Sequence, residues 1–377
     1  MKIKRVEISG LLDRPGVISS FFHDDLNILT GRNGSGKTSI LKLIWYVMSG
    51  NIILALREVP FDYIILETTD YNLIIQRTGI LTCKIEFNEI NKTKYLFEDE
   101  EDSDGDIINS AEAQAEPIIV DYGSSVFFPT FRRIEGGFGL SSRRVRSSSI
   151  SALGAVRAKS EIEDALSNLS KRLSNGTHTF VSAISTADIV GILLTRYANL
   201  STSYNKIQQN VSDQIINRIR DYRSDESDIN EVEAANAVLD EIKSEIEKME
   251  SQREIMMSPI EEVGKLVGSL FKKTGIDIGA PLRFGDAANA VNSELLSAGE
   301  KQMLSFICYN AFNEDSIVFV DEPELSLHVD WQRQLFPILM KQKASNQFII
   351  ATHSPFIYSK FPDKEISIDL DRGDGEI

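Results

Sequence analysis

The sequence predicts an α/β protein in which a helical insertion separates two parts of one domain. Near the start, a glycine-rich turn at 31–39 lies between a buried-strand pattern and a helix pattern. Strand-like runs follow at hairpin spacing, and from about residue 160 the hydrophobic period becomes helical. Short apolar strand patterns return near the end. We therefore place the domain boundaries at 1–155, 156–275 and 276–377.

The composition is that of a large folded chain with an acidic surface. The chain has 377 residues, 42% of them hydrophobic, and a net charge of −16. This charge opposes general affinity for nucleic acid, so any DNA contact must be local. Its two cysteines, Cys83 and Cys308, form neither a disulfide framework nor a zinc pattern. Without a signal-peptide pattern or a long apolar run, we expect a cytoplasmic protein with no membrane partner.

The first elements are two strands and a helix. Alternating apolar residues over 2–8 predict an edge-type strand, and the run 26–30, which is more uniformly apolar, predicts a buried strand. A helix then follows Lys37 and stops near Gly50. Its buried face is predicted to contain Ile40, Leu41, Ile44, Trp45 and Met48.

An antiparallel meander is predicted next. Its strands are expected at 63–67, 71–77, 81–87 and 94–97. The acidic segment 98–106 is interpreted as a flexible loop, since its charges oppose packing. The segment 117–129 is predicted to return to strand structure, and the serine- and arginine-rich segment 141–151 is expected to be mobile.

Helices are predicted from 160 to 271. Apolar residues in this region recur at alternating spacings of three and four, ending before Arg253. They are Val232, Ala235, Leu239, Ile242, Ile246 and Met249. This pattern is typical of a coiled-coil seam or helical hairpin, but a single amphipathic helix packed on its own domain explains it as well.

The glycine-rich turn fits the phosphate-loop pattern of Gly, four residues, then Gly, Lys and Ser or Thr. Glycines allow backbone amides to surround phosphate oxygens, and Lys37 would reach the β and γ phosphates. The Thr38 hydroxyl would hold Mg²⁺. The expected phosphate-binding residues are Gly31, Arg32, Asn33, Gly34, Ser35, Gly36, Lys37, Thr38 and Ser39.

Polar residues follow two further strand patterns. Asp321 and Glu322 come after the apolar run 316–320, where Asp321 could hold Mg²⁺ and Glu322 could orient and deprotonate water. His353 follows the run 348–351 and could bond a γ-phosphate. A turn and a core histidine are the alternatives, and the order of the motifs favours phosphoryl chemistry.

A further anion site is predicted at the start of a helix within LLSAGEKQML, residues 295–304. Ser297 and Gly299 would present a hydroxyl and free amides at the helix N-terminus. No phosphate is expected from the same stretch of chain. We therefore expect this site to bind the nucleotide of a second copy.

Together these motifs resemble the ABC-type ATPases of the RecF, SMC/Rad50 and OLD group. Within it, FFPTFRRIE and DEPELSLHVDWQ most resemble AAA_15/AAA_21-type ATPases of bacterial anti-phage systems such as PARIS, Septu and retron-associated modules. The resemblance covers about 1–140 and 280–370. It implies an ABC-type P-loop ATPase head, with a mixed sheet, an antiparallel β subdomain and a short helical or coiled-coil-like insertion.

The resemblance also assigns roles. Lys37 and Thr38 would bind phosphate and Mg²⁺, Asp321 would support the metal, and the catalytic residues would be Glu322, His353 and Lys37. ATP and Mg²⁺ would be the cofactors of a head-to-head dimer. The signature residues Ser297, Gly299 and Glu300 would complete the site of the opposite protomer, and the D-loop, residues 326–328, would lie between the sites.

The sequence departs from this pattern in three ways. It has no clear Q-loop glutamine, and Arg132 or Arg133 could take that place in metal or γ-phosphate sensing. The insertion is too short to bridge distant DNA. The OLD group's C-terminal nuclease domain has no counterpart here, so a nuclease would be a separate polypeptide.

These features favour a nucleotide-gated sensor or scaffold for a separate effector protein, such as a nuclease, in anti-phage defence. A RecF/SMC-like repair or recombination ATPase is the first alternative. That hypothesis requires a DNA-binding surface built from Arg143, Arg144 and Arg146. The alternative interpretation of these arginines is a solvated loop. A transporter ATPase subunit and a structural protein locked by bound ATP are further alternatives.

Overall fold

The computed structural model divides into two units. The first contains Met1–Ser185 and Glu294–Ile377, and the second contains Thr186–Ser293. The residues that the structure describes are 1–90, 93–101, 107–134, 161–184, 186–224, 231–273, 297–342 and 344–368.

One sheet of the first unit is antiparallel, with the strand order β2–β1–β4–β5–β6–β7. Its strands are β1 Ile3–Ser9, β2 Val17–Phe21, β4 Tyr63–Thr68, β5 Tyr71–Arg77, β6 Cys83–Glu89 and β7 Lys94–Phe97. The predicted meander is therefore confirmed. The expectation of an edge position for β1 was wrong, because β1 pairs with both β2 and β4. Alternation shows that one face of a strand is buried and does not show where the strand lies in its sheet.

The second sheet is parallel throughout, with the order β12–β10–β14–β15–β3–β16. Its strands are β3 Leu26–Thr30, β10 Ser125–Phe128, β12 His178–Phe180, β14 Ile317–Asp321, β15 Gln347–Ala351 and β16 Glu365–Ser367. Every residue of β3, β14 and β15 is buried, which explains their largely apolar sequences. A parallel sheet beside an antiparallel one confirms the predicted α/β class.

Helices and two small ladders complete the first unit. The ladders pair β8 Glu100–Glu101 with β9 Ile107–Asn109, and β11 Arg133–Ile134 with β13 Ala183–Ile184. The α-helices are α1 Lys37–Met48, α2 Ile52–Glu58, α3 Ala111–Ile119, α4 Glu161–Leu173, α7 Ala298–Phe312, α8 Val329–Leu339 and α9 Pro355–Tyr358. Short 3-10 helices span Leu11–Asp13 and Pro362–Lys364. The main apolar core joins α1 to side chains of both sheets.

Two predictions between 98 and 129 need correction. The strand predicted over 117–129 is only β10, because the first residues of that range complete α3. Ala111, Ala115 and Ile119 are buried at helical spacing, and this period governs the segment. The acidic stretch contributes β8 to a ladder, while 102–106 and 141–151 lie outside the described residues.

The second unit is a pair of long helices, α5 Thr186–Ser224 and α6 Glu231–Lys273. Arg218 of α5 forms an ion pair with Glu241, and Arg253 of α6 lies 5.6 Å from the ring centre of Tyr204. The contact nearer the end of α5 is made by the residue nearer the start of α6. The two helices therefore form an antiparallel hairpin. Helix α6 continues past Arg253, where the heptad pattern ends.

The second unit begins later than the predicted insertion at 156–275. Helix α4 contacts β12 and β13 and belongs to the first unit. Among the helices that the structure describes, none combines the length and hydropathy needed to cross a membrane.

Candidate nucleotide-binding site

Three parallel strands deliver the predicted site residues to one edge of their sheet. Asp321 ends β14 and is in register with Ala351 of β15, which is in register with Leu29 of β3. Gly31 and Thr352 follow directly from these neighbouring strands. The carboxyl ends of parallel strands form the usual ligand-binding edge of an open α/β sheet.

The glycine-rich loop connects β3 to α1 with three glycines in left-handed conformations. Gly31 has a φ of 146°, and a Cβ there would lie 2.4 Å from the carbonyl oxygen of Ile368. No larger residue fits this position without movement of the backbone. The loop ends at the N-terminus of α1, where free backbone amides and the helix dipole favour anions.

Lys37 hydrogen-bonds to the main chain at the start of this loop. Its side chain is buried, and Nζ donates hydrogen bonds to the carbonyl oxygens of Gly31 at 2.9 Å and Arg32 at 3.1 Å. The ammonium group therefore lies over the loop into which a phosphate would enter. The other predicted loop residues differ in exposure: Arg32, Asn33 and Gly34 are exposed, Ser35 and Gly36 are buried, and Thr38 and Ser39 are half-buried.

Asp321 is the buried acidic group of the site. It is 1% exposed, and Oδ1 accepts a hydrogen bond of 3.1 Å from Thr38 Oγ1, while Oδ2 accepts one from Thr130 Oγ1. Burial raises the pKa of its carboxyl group, and the two threonine hydroxyls and the Arg132 charge oppose that rise. Residues 283 positions apart thus meet at one carboxylate.

This arrangement fits a magnesium site. Mg²⁺ in phosphate-binding enzymes is commonly held by one or two carboxylates together with substrate oxygens and water. Asp321 and the Thr38 hydroxyl supply such protein ligands, and a cation there would offset the burial of the carboxylate. Among the described residues, no cluster of three or more His, Cys, Asp or Glu could hold a metal alone. Phosphate oxygens and water would complete the coordination.

Glu322 is held in an uncommon backbone conformation, with a φ of 48°. Its amide donates a hydrogen bond of 2.8 Å to the carbonyl of Ala351 on the neighbouring strand. Burial raises the pKa of its carboxyl group, and the charges of Asp321 and Glu324 raise it further. A carboxylate with a raised pKa accepts protons more readily, as a general base requires.

Arg132 supports the backbone of this acidic pair. Nη1 donates to the carbonyl of Asp321 at 2.8 Å, and Nη2 donates to that of Glu322 at 3.0 Å. The guanidinium lies 5.5 Å from the ring centre of Phe306, and burial lowers its pKa to about 10. In this structure the arginine acts on the main chain, while the Arg133 side chain lies outside the described residues.

His353 is fixed by its backbone while its side chain is exposed. Its amide donates a hydrogen bond of 2.7 Å to Glu324 Oε1, and the hydroxyl of the preceding Thr352 donates one of 2.8 Å to Oε2. The imidazole thus lies at the strand edge that carries Asp321 and Glu322.

The signature residues lie together at the start of α7. Ser297 Oγ accepts a hydrogen bond of 3.3 Å from the Glu300 amide, and Glu300 Oε2 accepts one of 2.8 Å from the Ser297 amide. This reciprocal capping box defines the helix start, so Glu300 has a structural partner. A Cβ on Gly299 would lie 2.6 Å from the carbonyl oxygen of Ser326. The signature helix therefore packs closely on the predicted D-loop.

The remaining D-loop residues lead into α8. Ser326 has a φ of 67°, Leu327 is buried, and His328 Nδ1 accepts a hydrogen bond of 3.4 Å from the Asp330 amide as the N-cap.

Three functional candidates were not predicted from the sequence: Thr130, Glu324 and Gln332. Thr130 closely follows an apolar strand, but only the fold shows that this strand adjoins β14. Glu324 stands in the conspicuous DEPE sequence, where its position after two acidic residues was a usable signal. Gln332, on α8, has no local pattern that distinguishes it from a surface glutamine.

Comparison with known proteins gives a family match over most of the chain. The AAA_21 family model, described as "AAA domain, putative AbiEii toxin, Type IV TA system", matches residues 26–359. The "Retron Ec83 probable ATPase" of Escherichia coli is 37% identical over 73 residues, which are 16% of this chain and 14% of that protein.

Two solved SMC head structures are also similar. One, from Pyrococcus furiosus, carries an extended coiled coil and is bound to the C-terminal domain of ScpA. It has a TM-score of 0.34 and 14% identity, covering 95% of this chain and 91% of that one. The other, bound to the C-winged helix domain of ScpA, has a TM-score of 0.38 and 11% identity, covering 95% and 92%. At these scores the similarity carries no functional conclusion.

Proposed function

This chain belongs to the AAA_21 family, a family of P-loop ATPases of ABC type, and we propose that it binds ATP with Mg²⁺ and hydrolyses it. The hydrogen bond between Thr38 and Asp321 carries this proposal, because it joins the helix after the glycine-rich loop to the acidic end of β14. These are the two groups that a nucleotide-bound metal needs side by side.

The glycine-rich loop would bind the phosphates. Amides of the loop and of the first turn of α1 supply donors, and Lys37 Nζ would exchange its carbonyl partners for phosphate oxygens. That exchange keeps the ammonium group hydrogen-bonded with and without ligand, so binding leaves no buried donor unsatisfied. A metal held by Thr38 and Asp321 would neutralise charge on the phosphates.

Glu322 would act as the general base. Its raised pKa suits proton transfer from an attacking water, and Arg132 fixes the two peptide groups that set its direction. His353, at the end of the neighbouring strand, would donate a hydrogen bond to the γ-phosphate. Turnover would then depend on water being positioned between Glu322 and that phosphate.

We further propose that two copies assemble head to head. Ser297 and Gly299 lie at the N-terminus of the 15-residue helix α7, where amides are available to an anion. In the second copy they would contact the nucleotide held by the first. Occupancy would then control assembly, which suits a sensor or scaffold better than a high-flux enzyme.

The biological role that we propose is nucleotide-gated control of a separate effector, such as a nuclease, in anti-phage defence. Support comes from the family description, which names a toxin and a type IV TA system, and from the retron ATPase that matches part of the chain. The hairpin of α5 and α6 is a candidate region for holding that effector.

Steady-state ATP hydrolysis by the purified chain tests the proposal. Glu322→Gln keeps the shape of the side chain and removes the base, so we expect turnover to fall at least about 100-fold while ATP still binds. Glu314→Gln, at an exposed position, is the matched control and should retain activity. Equal turnover in wild type and Glu322→Gln would refute hydrolysis at this site.

Light scattering of Glu322→Gln tests assembly. We expect a dimer with ATP and Mg²⁺, and a monomer when Ser297→Arg is added, since the longer side chain would block the helix start. A monomer in both proteins would contradict head-to-head assembly.

Adding duplex DNA to the hydrolysis assay tests the repair alternative, which predicts strong stimulation that is lost in Glu322→Gln.

A further inference from the structure

Glu324 connects two loops at the edge of the parallel sheet. It lies in the loop 324–327 after the acidic pair, and both of its carboxylate oxygens accept hydrogen bonds from the segment after β15. The donors are the Thr352 hydroxyl at 2.8 Å and the His353 amide at 2.7 Å. This carboxylate therefore fixes the main chain of the histidine expected to bind the γ-phosphate.

Gln332 connects the same two loops from α8. Its Nε2 donates to the carbonyls of Leu327 at 2.8 Å and Glu324 at 3.4 Å, and its Oε1 accepts a hydrogen bond of 2.6 Å from Ser354 Oγ. A single amide group thus binds both ends of the loop 324–327 and the residue after His353. Two independent side chains therefore make the same connection.

The loop 324–327 also touches the signature helix. A Cβ on Gly299 would lie 2.6 Å from the Ser326 carbonyl, and Gln302 Nε2 donates a hydrogen bond of 3.2 Å to the carbonyl of Pro323. Both contacts join α7 to the chain just after Glu322. Continuous packing and hydrogen bonding therefore lead from His353 to the start of α7.

We propose that Glu324 and Gln332 are positioning residues that couple the segment 352–354 to the loop 324–327, so that both change conformation together when nucleotide binds. The inference rests on the proposed function, since it assigns the ligand of His353 as a γ-phosphate. Its consequence is a route from one nucleotide to the signature residues that contact the other. Glu322, before this loop, and Ser326, within it, both have positive φ, an uncommon backbone conformation that is typical of segments that switch.

Hydrogen exchange measured by mass spectrometry tests the coupling directly. In wild type, the analogue AMP-PNP with MgCl₂ should slow exchange in both segments, 352–354 and 324–327. In Gln332→Ala, the first segment should still respond, while the second should lose at least about half of its response, because one of its two links to the first is cut. Equal responses of both segments in the variant and wild type would overturn the proposal, as would no joint change in wild type.

A kinetic measurement separates positioning from general stability. We expect Gln332→Ala to lower kcat about tenfold with KM within about twofold, because phosphate binding is intact while the switch is misplaced. Ser354→Ala removes the same link, so the double variant should be no slower than Gln332→Ala. Additive losses, or equal losses in nucleotide affinity and kcat, would contradict a shared link.

Gln114→Ala is the matched control. Gln114 Nε2 also donates to two main-chain carbonyls, at 3.0 Å and 3.3 Å, but on α3, outside the site. It should match wild type in both assays. A wild-type chain that binds AMP-PNP but does not hydrolyse ATP would refute the proposed function alone, because the exchange experiment would still report on the coupling.

Discussion

The buried residue His178 should make the stability of the first unit sensitive to acid. His178 is 0% exposed at the start of β12, where Nδ1 lies 2.8 Å from Ser125 Oγ. The same hydroxyl accepts a hydrogen bond of 3.1 Å from Trp45 Nε1. Burial lowers the pKa of His178 from 6.5 to about 4.

The sign and size of the effect follow from this shift. Above pH 6.5 the ring is neutral in the folded and unfolded chain, and its full contribution to stability is present. As pH falls, the His178 ring binds a proton in the unfolded chain but stays neutral in the folded chain, so stability is lost. A shift of this size corresponds to about 2 kcal/mol lost between pH 7.5 and 5, and about 3 kcal/mol in all at lower pH.

Urea unfolding followed by Trp45 fluorescence measures this loss. Trp331→Phe removes the second of the two tryptophans. The remaining signal then comes from Trp45, which bonds to the same hydroxyl as His178. In this background we expect the unfolding free energy to fall by about 2 kcal/mol from pH 7.5 to 5. His178→Gln should remove most of that pH dependence, and His23→Gln, at an exposed position, should retain it.

His178 would not be the source of this acid sensitivity if His178→Gln kept the pH dependence of its parent. A ring titration near pH 6.5 in the folded protein, measured by NMR, would exclude His178 equally.

Three further substitutions test the site and the fold. Thr130→Val removes one hydroxyl from the buried carboxylate of Asp321, and should raise the Mg²⁺ concentration for half-maximal hydrolysis about tenfold without changing metal-free nucleotide binding. Gly299→Ala places a methyl group 2.6 Å from the Ser326 carbonyl, and should weaken hydrolysis and ATP-dependent dimerisation while circular dichroism is unchanged. Arg77→Lys loses bonds to four main-chain carbonyls, and should lower the unfolding free energy by about 2 kcal/mol while leaving activity per folded molecule unchanged.

Features that depend on adjacent residues were predictable from the sequence. The glycine-rich loop is defined by its own spacing and by the strand and helix beside it, and β3 and α1 are found where expected. The acidic pair and His353 likewise follow short apolar strands. For each of these, local pattern and final position agree because the strand that carries the residue is buried on both faces.

Features that depend on distant pairing were not predictable. Thr130 reaches Asp321 only because β10 pairs with β14, and no local pattern encodes that neighbour. The end of α3 was mistaken for a strand because its apolar residues form a short run of ambiguous period. Arg132 stood out as a charge near the site, but its carbonyl partners depend on how two strand ends meet.

The separation of Thr38 and Asp321 by 283 residues has a consequence for synthesis of the chain. Ribosomes add about 5 to 20 residues per second, so Thr38 is made roughly 15 to 60 s before its partner. During that interval β3 lacks β15, its direct neighbour in the parallel sheet. Helix α1 can then pack only on the antiparallel strands, which pair with strands close to them in sequence. A nascent chain can therefore bury its first apolar surfaces early but cannot assemble a complete nucleotide site until β14 and β15 have left the ribosome.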